Sequence, residues 1–339
     1  MVSPASSRKD AMSGACYPHR RVMVTGGLGF IGSNLARRLV DLGAEVVVVD
    51  ALVPNFGGNP ANLRGLHDKL QVCHFDLSDG EQLAEQLRGC EVIFNLAGQV
   101  SHLDSMRNPL VDLDANVRAQ LVLLEKCRIH APQARVIFAS TRQIYGRPAY
   151  LPVDERHPLN PVDINGVHKM AAEAHHILYH QVYDLHTVCL RLTNTFGPRM
   201  RIKDARQTFL GFWLRRVVED GTFEVWGGAQ KRDLTHVDDV VDAFLLAAAA
   251  PDLAGQCFNI GGSPPVTLRE LAELLVGIAR TGRYELKEFP SERKRIDIGD
   301  YFADDRRFRE LTGWRPKVSV PEGLAATIAY YRACLNDYI

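Results

Sequence analysis

Short apolar runs alternate with stretches of helical periodicity from residue 20 to about 195. Arg21–Thr25 is one such run, and Glu45–Asp50 carries four consecutive valines, the pattern of a strand buried on both faces. Val72–Phe75, Val92–Leu96, Arg135–Ser140 and His186–Leu192 are further strand candidates. Between them, Gly32–Leu42 reads as a helix closed by Gly43, the residue type favoured just past a helix C-terminus. Leu110, Leu113, Val117, Leu121 and Leu124 recur at helical spacing and predict a long amphipathic helix. A second long helix is predicted over Gly166–Tyr183. Strands and helices in alternation predict a parallel sheet covered on both sides, an α/β architecture.

After Asn194 the rhythm changes. Helices are predicted near Ala205–Glu219, Asp238–Ala249 and Leu268–Ala279, but they no longer follow each strand. This pattern predicts a smaller second lobe over the strand C-termini, where open α/β sheets bind ligands. Val237–Ile260 reads as a helix and strand returning to the main sheet, so the lobe is discontinuous. The expected organisation is a disordered extension over 1–19, a sheet domain over 20–194 joined again by 233–260, and a second lobe over 195–339.

Bulk properties narrow the partners. Lys+Arg and Asp+Glu both number 40, so the net charge of 40 − 40 = 0 argues against a nucleic-acid or anionic-membrane partner. No apolar stretch approaches the roughly 18 residues a membrane helix needs, and the N-terminus has no signal-peptide core. Seven scattered cysteines without a C-x-x-C pair read as free thiols of a reducing, cytoplasmic compartment.

The chemistry begins at Thr25-Gly26-Gly27-Leu28-Gly29-Phe30-Ile31-Gly32, placed between the first strand and the first helix. Glycines there permit a tight turn and let the backbone approach a pyrophosphate, which sits on the helix N-terminus. Asp50 ends the next strand, 50 − 29 = 21 residues after Gly29. A carboxylate there accepts from the adenosine ribose hydroxyls and repels a 2′-phosphate, so NAD is expected rather than NADP. Asp76 follows the third strand and either meets the adenine or caps a helix.

With that turn, the Asn95-Leu96-Ala97-Gly98 segment, Ser140-Thr141-Arg142-Gln143-Ile144-Tyr145-Gly146 and Lys169 in order, the chain resembles the extended short-chain dehydrogenases/reductases. More narrowly it resembles their nucleotide-sugar epimerase/dehydratase family, over about 21–331. Asn194-Thr195-Phe196-Gly197-Pro198-Arg199, Trp226-Gly227-Gly228 with Arg232-Asp233, and Thr312-Gly313-Trp314-Arg315-Pro316 extend the likeness. The resemblance implies a Rossmann-type doubly wound parallel sheet with a smaller, discontinuous C-terminal substrate-binding lobe. It implies NAD, a nucleoside diphosphate sugar, and a homodimer formed through the helices around 109–128 and 166–183. The cofactor set it implies is Gly26, Gly29, Phe30, Ile31, Gly32, Asp50, Asp76, Leu77, Leu96, Ala97 and Lys169.

In such enzymes a Ser/Thr, a tyrosine and a lysine act as a unit on a sugar hydroxyl. Thr141 and Lys169 fall at two of those positions, but Asn165 stands where the tyrosine is expected. No lysine in the chain has a tyrosine four residues before it, so no shift of register restores the pair. Asparagine does not titrate. His168, Tyr145 and His102 are the candidate substitutes, and His168 lies about 100° round the helix from Lys169. Arg142-Gln143 replaces the Asp-Glu of the family's 4,6-dehydratases, which disfavours that reaction. Arg142 either meets a substrate anion such as a carboxylate or serves as a loop charge.

The resemblance further implies Asn194, Arg199, Arg232 and Arg295 around the diphosphate and nucleoside, with Arg293 an alternative to Arg295. No metal is expected. His176 and His180 have i,i+4 spacing but no carboxylate partner, and read as helix-surface or interface histidines. Three functions stay open: an epimerase acting through a transient keto sugar, a decarboxylase or unusual dehydratase, and a silent binder of NAD and nucleotide sugar.

Overall fold

The computed structural model describes residues 17–205, 208–261, 264–290 and 297–339, so most of the expected N-terminal extension, with Arg293 and Arg295, lies outside the described residues. At its centre are β1 (Arg21–Thr25), β2 (Glu45–Val49), β3 (Gln71–Cys73), β4 (Val92–Asn95), β5 (Arg135–Thr141), β6 (Thr187–Leu192) and, much later in the chain, β11 (Gln256–Ile260). They form one parallel sheet in the order β11-β6-β5-β4-β1-β2-β3. Val24 of β1 stands opposite Val48 on one side and Phe94 on the other. The strand order reverses between β1 and β4, which opens a crevice at the carboxyl edge.

The valines of β2 are buried because helices cover both faces. On one side α1 (Phe30–Asp41) contributes Leu35 and Leu39, packed with Val240 and Phe244 from a later helix, Val237–Ala249. On the other side α2 (Gly80–Leu87) contributes Leu83 and Leu87, packed with Leu123, Leu124 and Cys127. After β4 come α3 (His102–Arg107), α4 (Pro109–Leu113), a π-helical turn (Asp114–Arg118) and α5 (Ala119–His130). The second long helix is α6 (Ile164–Tyr183).

The apolar stripe predicted along the first long helix does not face the core as a unit. Leu110 is 72% exposed and Leu121 is 37% exposed, whereas Leu124 is buried. The buried face upstream belongs instead to Asp112, Asn116 and Gln120. A π-helical turn accommodates an extra residue and shifts the register of the helix face. The amide donors of two of them are paired: Asn116 Nδ2 donates to Gln99 O (3.0 Å), and Gln120 Nε2 donates to Ala97 O (3.0 Å).

Beyond β6, β7 (Asn194–Phe196) pairs with β10 (Leu234–His236), and β8 (Thr222–Trp226) pairs with β13 (Arg283–Lys287). The short β9 (Lys231–Arg232) pairs with β12 (Val266–Thr267). Three helices pack here: α7 (Phe209–Val218), α9 (Leu268–Ala279) and α11 (Val320–Cys334). The helix over Val237–Ala249 is α8, and α10 is Arg306–Thr312. Leu214, Leu275 and Leu324 share a separate apolar core in this half. Both α9 and α11 start with a reciprocal capping box, Thr267 with Glu270 and Ser319 with Glu322.

Candidate active site

A cavity of about 320 Å³ runs along the carboxyl edge of the sheet, from the glycine turn to the start of α7. Gly26 holds φ +66, and a Cβ there would sit 2.8 Å from Leu96 O; one on Gly32 would collide with Gly26 O. The turn therefore presents bare backbone at the N-terminus of α1, the environment a pyrophosphate requires. Phe30, Ile31, Leu77, Leu96 and Ala97 line the same cavity. Thr25 Oγ1 accepts from both Leu96 and Ala97 N–H (3.1 Å each), which ties β4 to the turn.

Asp50 lines the cavity at the end of β2. Its Oδ2 accepts from Leu28 N (3.0 Å) and its Oδ1 from Leu52 N (2.9 Å), each oxygen keeping a lone pair. Burial raises its pKa, and those two backbone N–H groups oppose the rise. Asp76 also lines the cavity, with Oδ1 accepting from Ser78 N (2.8 Å); the cap of α2 is Asp79.

Lys169 lies 5% exposed in the cavity wall, its Nζ donating to Ala139 O (3.2 Å) and standing 4.8 Å from the centre of the Phe138 ring. Burial brings its pKa down to about 8, against the pull of Asp112. One turn earlier on α6, Asn165 lines the same wall at 2% exposure. Its Nδ2 donates to Gln99 O (2.8 Å) and to Asp112 Oδ2 (3.0 Å). The other oxygen of Asp112 pairs with His168 Nδ1 (2.6 Å). Asn165 thus satisfies a buried carboxylate, a task a tyrosine with one hydroxyl cannot share between those acceptors.

Thr141 ends β5 at the cavity, and its Oγ1 accepts from Gln143 N (3.3 Å). Across from it, His102 at the start of α3 lines the cavity. Its Nδ1 is hydrogen-bonded to Asp163 Oδ2, and its Nε2 to the Gln143 side-chain amide. Asp163 is 4% exposed and is the N-cap of α6, with Oδ1 accepting from Gly166 N (2.7 Å). Burial alone would raise the Asp163 pKa, but His102, the Gly166 N–H and Arg142 outweigh it and hold the carboxyl below its usual range. With Nδ1–H donated to Asp163, the Nε2 lone pair is the one turned to Gln143 and the cavity.

These features coincide with known proteins. The model of the NAD dependent epimerase/dehydratase family matches residues 22–261. The chain belongs to this family. Its cofactor is NAD, which fits the bare glycine cradle and the acid at the end of β2. UDP-glucose 4-epimerase of Mycolicibacterium smegmatis is 33% identical over 317 residues, 92% of this chain and 98% of that protein. The crystal structure of Thermotoga maritima UDP-glucose 4-epimerase with UDP-glucose is similar at a TM-score of 0.84 and 31% identity, covering 93% of this chain and 99% of that one. The Thermus thermophilus UDP-glucose 4-epimerase complex with NAD has a TM-score of 0.82 and 28% identity, again covering 93% and 99%.

Several residues that sequence suggested for an epimerase/dehydratase site lie elsewhere. Tyr145 is fully buried: its hydroxyl donates to Asn259 Oδ1 (2.7 Å) and accepts from Arg191 Nη1 (2.7 Å). Burial pushes its pKa well up, so it is no base at neutral pH. His168 is turned to Asp112 and does not line the cavity. Arg199 grips Asn34 Oδ1 on α1 (2.7 and 3.0 Å) and lies over the Tyr330 ring. Arg232 donates to Lys231 O (2.8 Å) and Gly299 O and faces Asp297 at 3.8 Å. Neither arginine lines the cavity. Asn194 does, with Nδ2 donating to Asp233 O (3.1 Å). Arg142 lines it as well.

His176 is neither a surface nor a ligand histidine. It stacks on Phe138 in the core, its Nδ1 is bonded to Ala172 O (2.8 Å), and burial lowers its pKa to about 3. Among the described residues there is no group of His, Cys, Asp and Glu side chains that could hold a metal ion. No helix among the described residues is long and apolar enough to cross a membrane.

Proposed function

We propose that this protein epimerises a nucleoside diphosphate sugar through a transient keto sugar, with His102 doing the work of the absent tyrosine. The observation that carries the proposal is the make-up of the wall beside Thr141. No tyrosine, glutamate or cysteine lines the cavity among the described residues, and Asp50 and Asp76 belong to the far end, after β2 and β3. His102 and Lys169 are the lining side chains left that can take up or give a proton beside Thr141.

NAD, when bound, would supply hydride acceptance and return at the sugar carbon. Gly26, Gly29, Gly32 and Asp50 hold its phosphates and adenosine ribose, and Lys169 holds the other ribose. His102 Nε2 takes the hydroxyl proton as a substrate hydroxyl displaces the Gln143 amide from that lone pair. Asp163, ionised and buried behind Nδ1, stabilises the imidazolium that results. The same proton goes back to the ketone oxygen once the other face of the sugar is presented. Thr141 Oγ orients that oxygen, and Asn194 with the region after it receives the nucleoside diphosphate.

The apolar side chains left exposed on 109–130 and on α6, including Leu110, Leu121, Ile129, Leu178 and Val182, support dimerisation through these helices. A monomer mass by light scattering contradicts that. The six described cysteines are free thiols, in keeping with a cytoplasmic protein.

The reaction is tested by incubating the NAD-loaded protein with UDP-, dTDP-, GDP- and CDP-sugars and weighing the products. A product isomeric with its substrate supports the proposal. Loss of carbon dioxide or water assigns a lyase instead, and tight binding without turnover assigns a silent binder.

A further inference from the structure

Immediately after Thr141 stands an arginine whose donors are unused among the described residues. Arg142 lines the cavity, and its guanidinium carbon lies 5.1 Å from the centre of the Tyr301 ring. It makes no hydrogen bond or ion pair with any described residue. Other described arginines are engaged: Arg191 with Glu173 (2.6 Å), Arg232 with Lys231 O and Asp297, Arg147 with Asp297 O (2.9 Å). A guanidinium carries five N–H donors that cannot be deprotonated away, so leaving all five unused in a pocket wall is costly.

The nearby acids do not meet that need. Asp163 is committed to His102 and Gly166 N, and Asp297 faces Arg232 at 3.8 Å. Asp233 Oδ2 accepts from Ala303 N (3.0 Å), while its Oδ1 is buried with no partner. Tyr301 Oη is also buried without a partner, and beside Arg142 it is a hydroxyl free to donate to an anion. The Tyr301 ring lies against the guanidinium by a cation–π contact, and the N–H donors of Arg142 suit a planar, two-oxygen anion. Its place in the chain, between Thr141 and Gln143, sets it at the reacting sugar.

We propose that Arg142 receives a carboxylate carried by the sugar, so that the substrate class is a nucleoside diphosphate sugar acid. This rests on the nucleotide-sugar reading above and narrows it. A carboxylate held by two charge-assisted hydrogen bonds is stabilised as the anion, which opposes its loss as carbon dioxide and favours a product that keeps it.

The test is calorimetric titration of the NAD-loaded protein with UDP, UDP-glucose and UDP-glucuronate, and in parallel GDP, GDP-mannose and GDP-mannuronate. In at least one series the acid is expected to bind about 10- to 100-fold more tightly than its neutral counterpart. Arg142→Met is expected to erase that preference, with retained NAD binding reporting its fold, and Arg142→Lys to keep part of it. Equal affinity for acid and neutral sugar in the unmodified protein overturns the proposal. So does an Arg142→Met variant that loses the nucleoside diphosphate, the neutral sugar and the acid alike, because Arg142 then serves the diphosphate. Failure of every nucleotide and nucleotide sugar to bind removes the nucleotide-sugar reading itself.

Discussion

Replacing Asn165 by leucine removes a side chain that the sequence marks only as standing at the tyrosine position and that the structure shows holding a buried acid. Leucine is close in size, so the change deletes donors and opens little cavity. Asn165 Nδ2 serves Gln99 O at 2.8 Å, Asp112 Oδ2 at 3.0 Å and, weakly, Gln99 Oε1 at 3.3 Å. A buried carbonyl left without its donor costs about 1–3 kcal/mol, and a bond to a charged acceptor contributes about 1.5–3 kcal/mol. Asp112 keeps only His168 and the loss is therefore expected at about 3–5 kcal/mol, a large part of the stability of a typical domain. Urea unfolding of the NAD-free protein reads it as a lower midpoint at unchanged slope. Adding Asp112→Asn should recover part of the loss, because the two sites are coupled through one hydrogen bond. Asn165→Tyr loses the same donors and crowds a buried position at a further cost of about 1–3 kcal/mol, so it is expected to lower activity rather than restore it. An Asn165→Leu protein within about 0.5 kcal/mol of the unmodified one refutes the reasoning.

Three further outcomes are expected. Asp50→Ala relaxes the discrimination against NADP, measured as the ratio of the two cofactor affinities; unmodified protein that binds both equally contradicts the role given to Asp50. Lys169 has a folded-state pKa near 8, below its ordinary 10.5, so the folded state sheds its proton first and stability rises with pH between those values. The ammonium is the form that holds the NAD ribose, so NAD affinity should fall as pH rises through about 8, and Lys169→Met should be weaker and flat; a flat profile in the unmodified protein argues against this. Tyr145→Phe removes a hydroxyl bonded to Asn259 and Arg191 and should cost about 1–3 kcal/mol in urea unfolding while turnover per folded molecule stays within a few-fold. A selective loss of turnover would return Tyr145 to the reaction.

What could be read from the sequence follows the physics of each signal. Glycines that must admit backbone contacts, and valines buried on two faces, have few alternative explanations, so the turn at 26–32 and β2 were legible. The four-residue spacing of Asn165 and Lys169 also held, because both sit on one helix. The buried polar face of Asp112, Asn116 and Gln120 was not legible, since buried polar residues look like surface until their partners are known. The pairing of His102 with Asp163 joins residues 61 apart, and no local pattern in the sequence connects them. Loop arginines are hard to read for a related reason: the same chemistry serves a ligand or the protein's own carbonyls and side chains, and here Arg199 bonds to Asn34 and Arg232 to Lys231 O. The capping box at Ser319 and Glu322 could have announced α11.

The most direct test of the central claim compares His102→Gln and Asp163→Asn with the unmodified protein, on whichever nucleotide sugar the panel shows to be turned over, while measuring NAD affinity in the same preparations. Turnover should fall by about 10²–10⁴-fold in His102→Gln, with NAD bound as before, and by a smaller factor in Asp163→Asn. His102→Gln protein that turns over at the unmodified rate would place the proton transfer elsewhere.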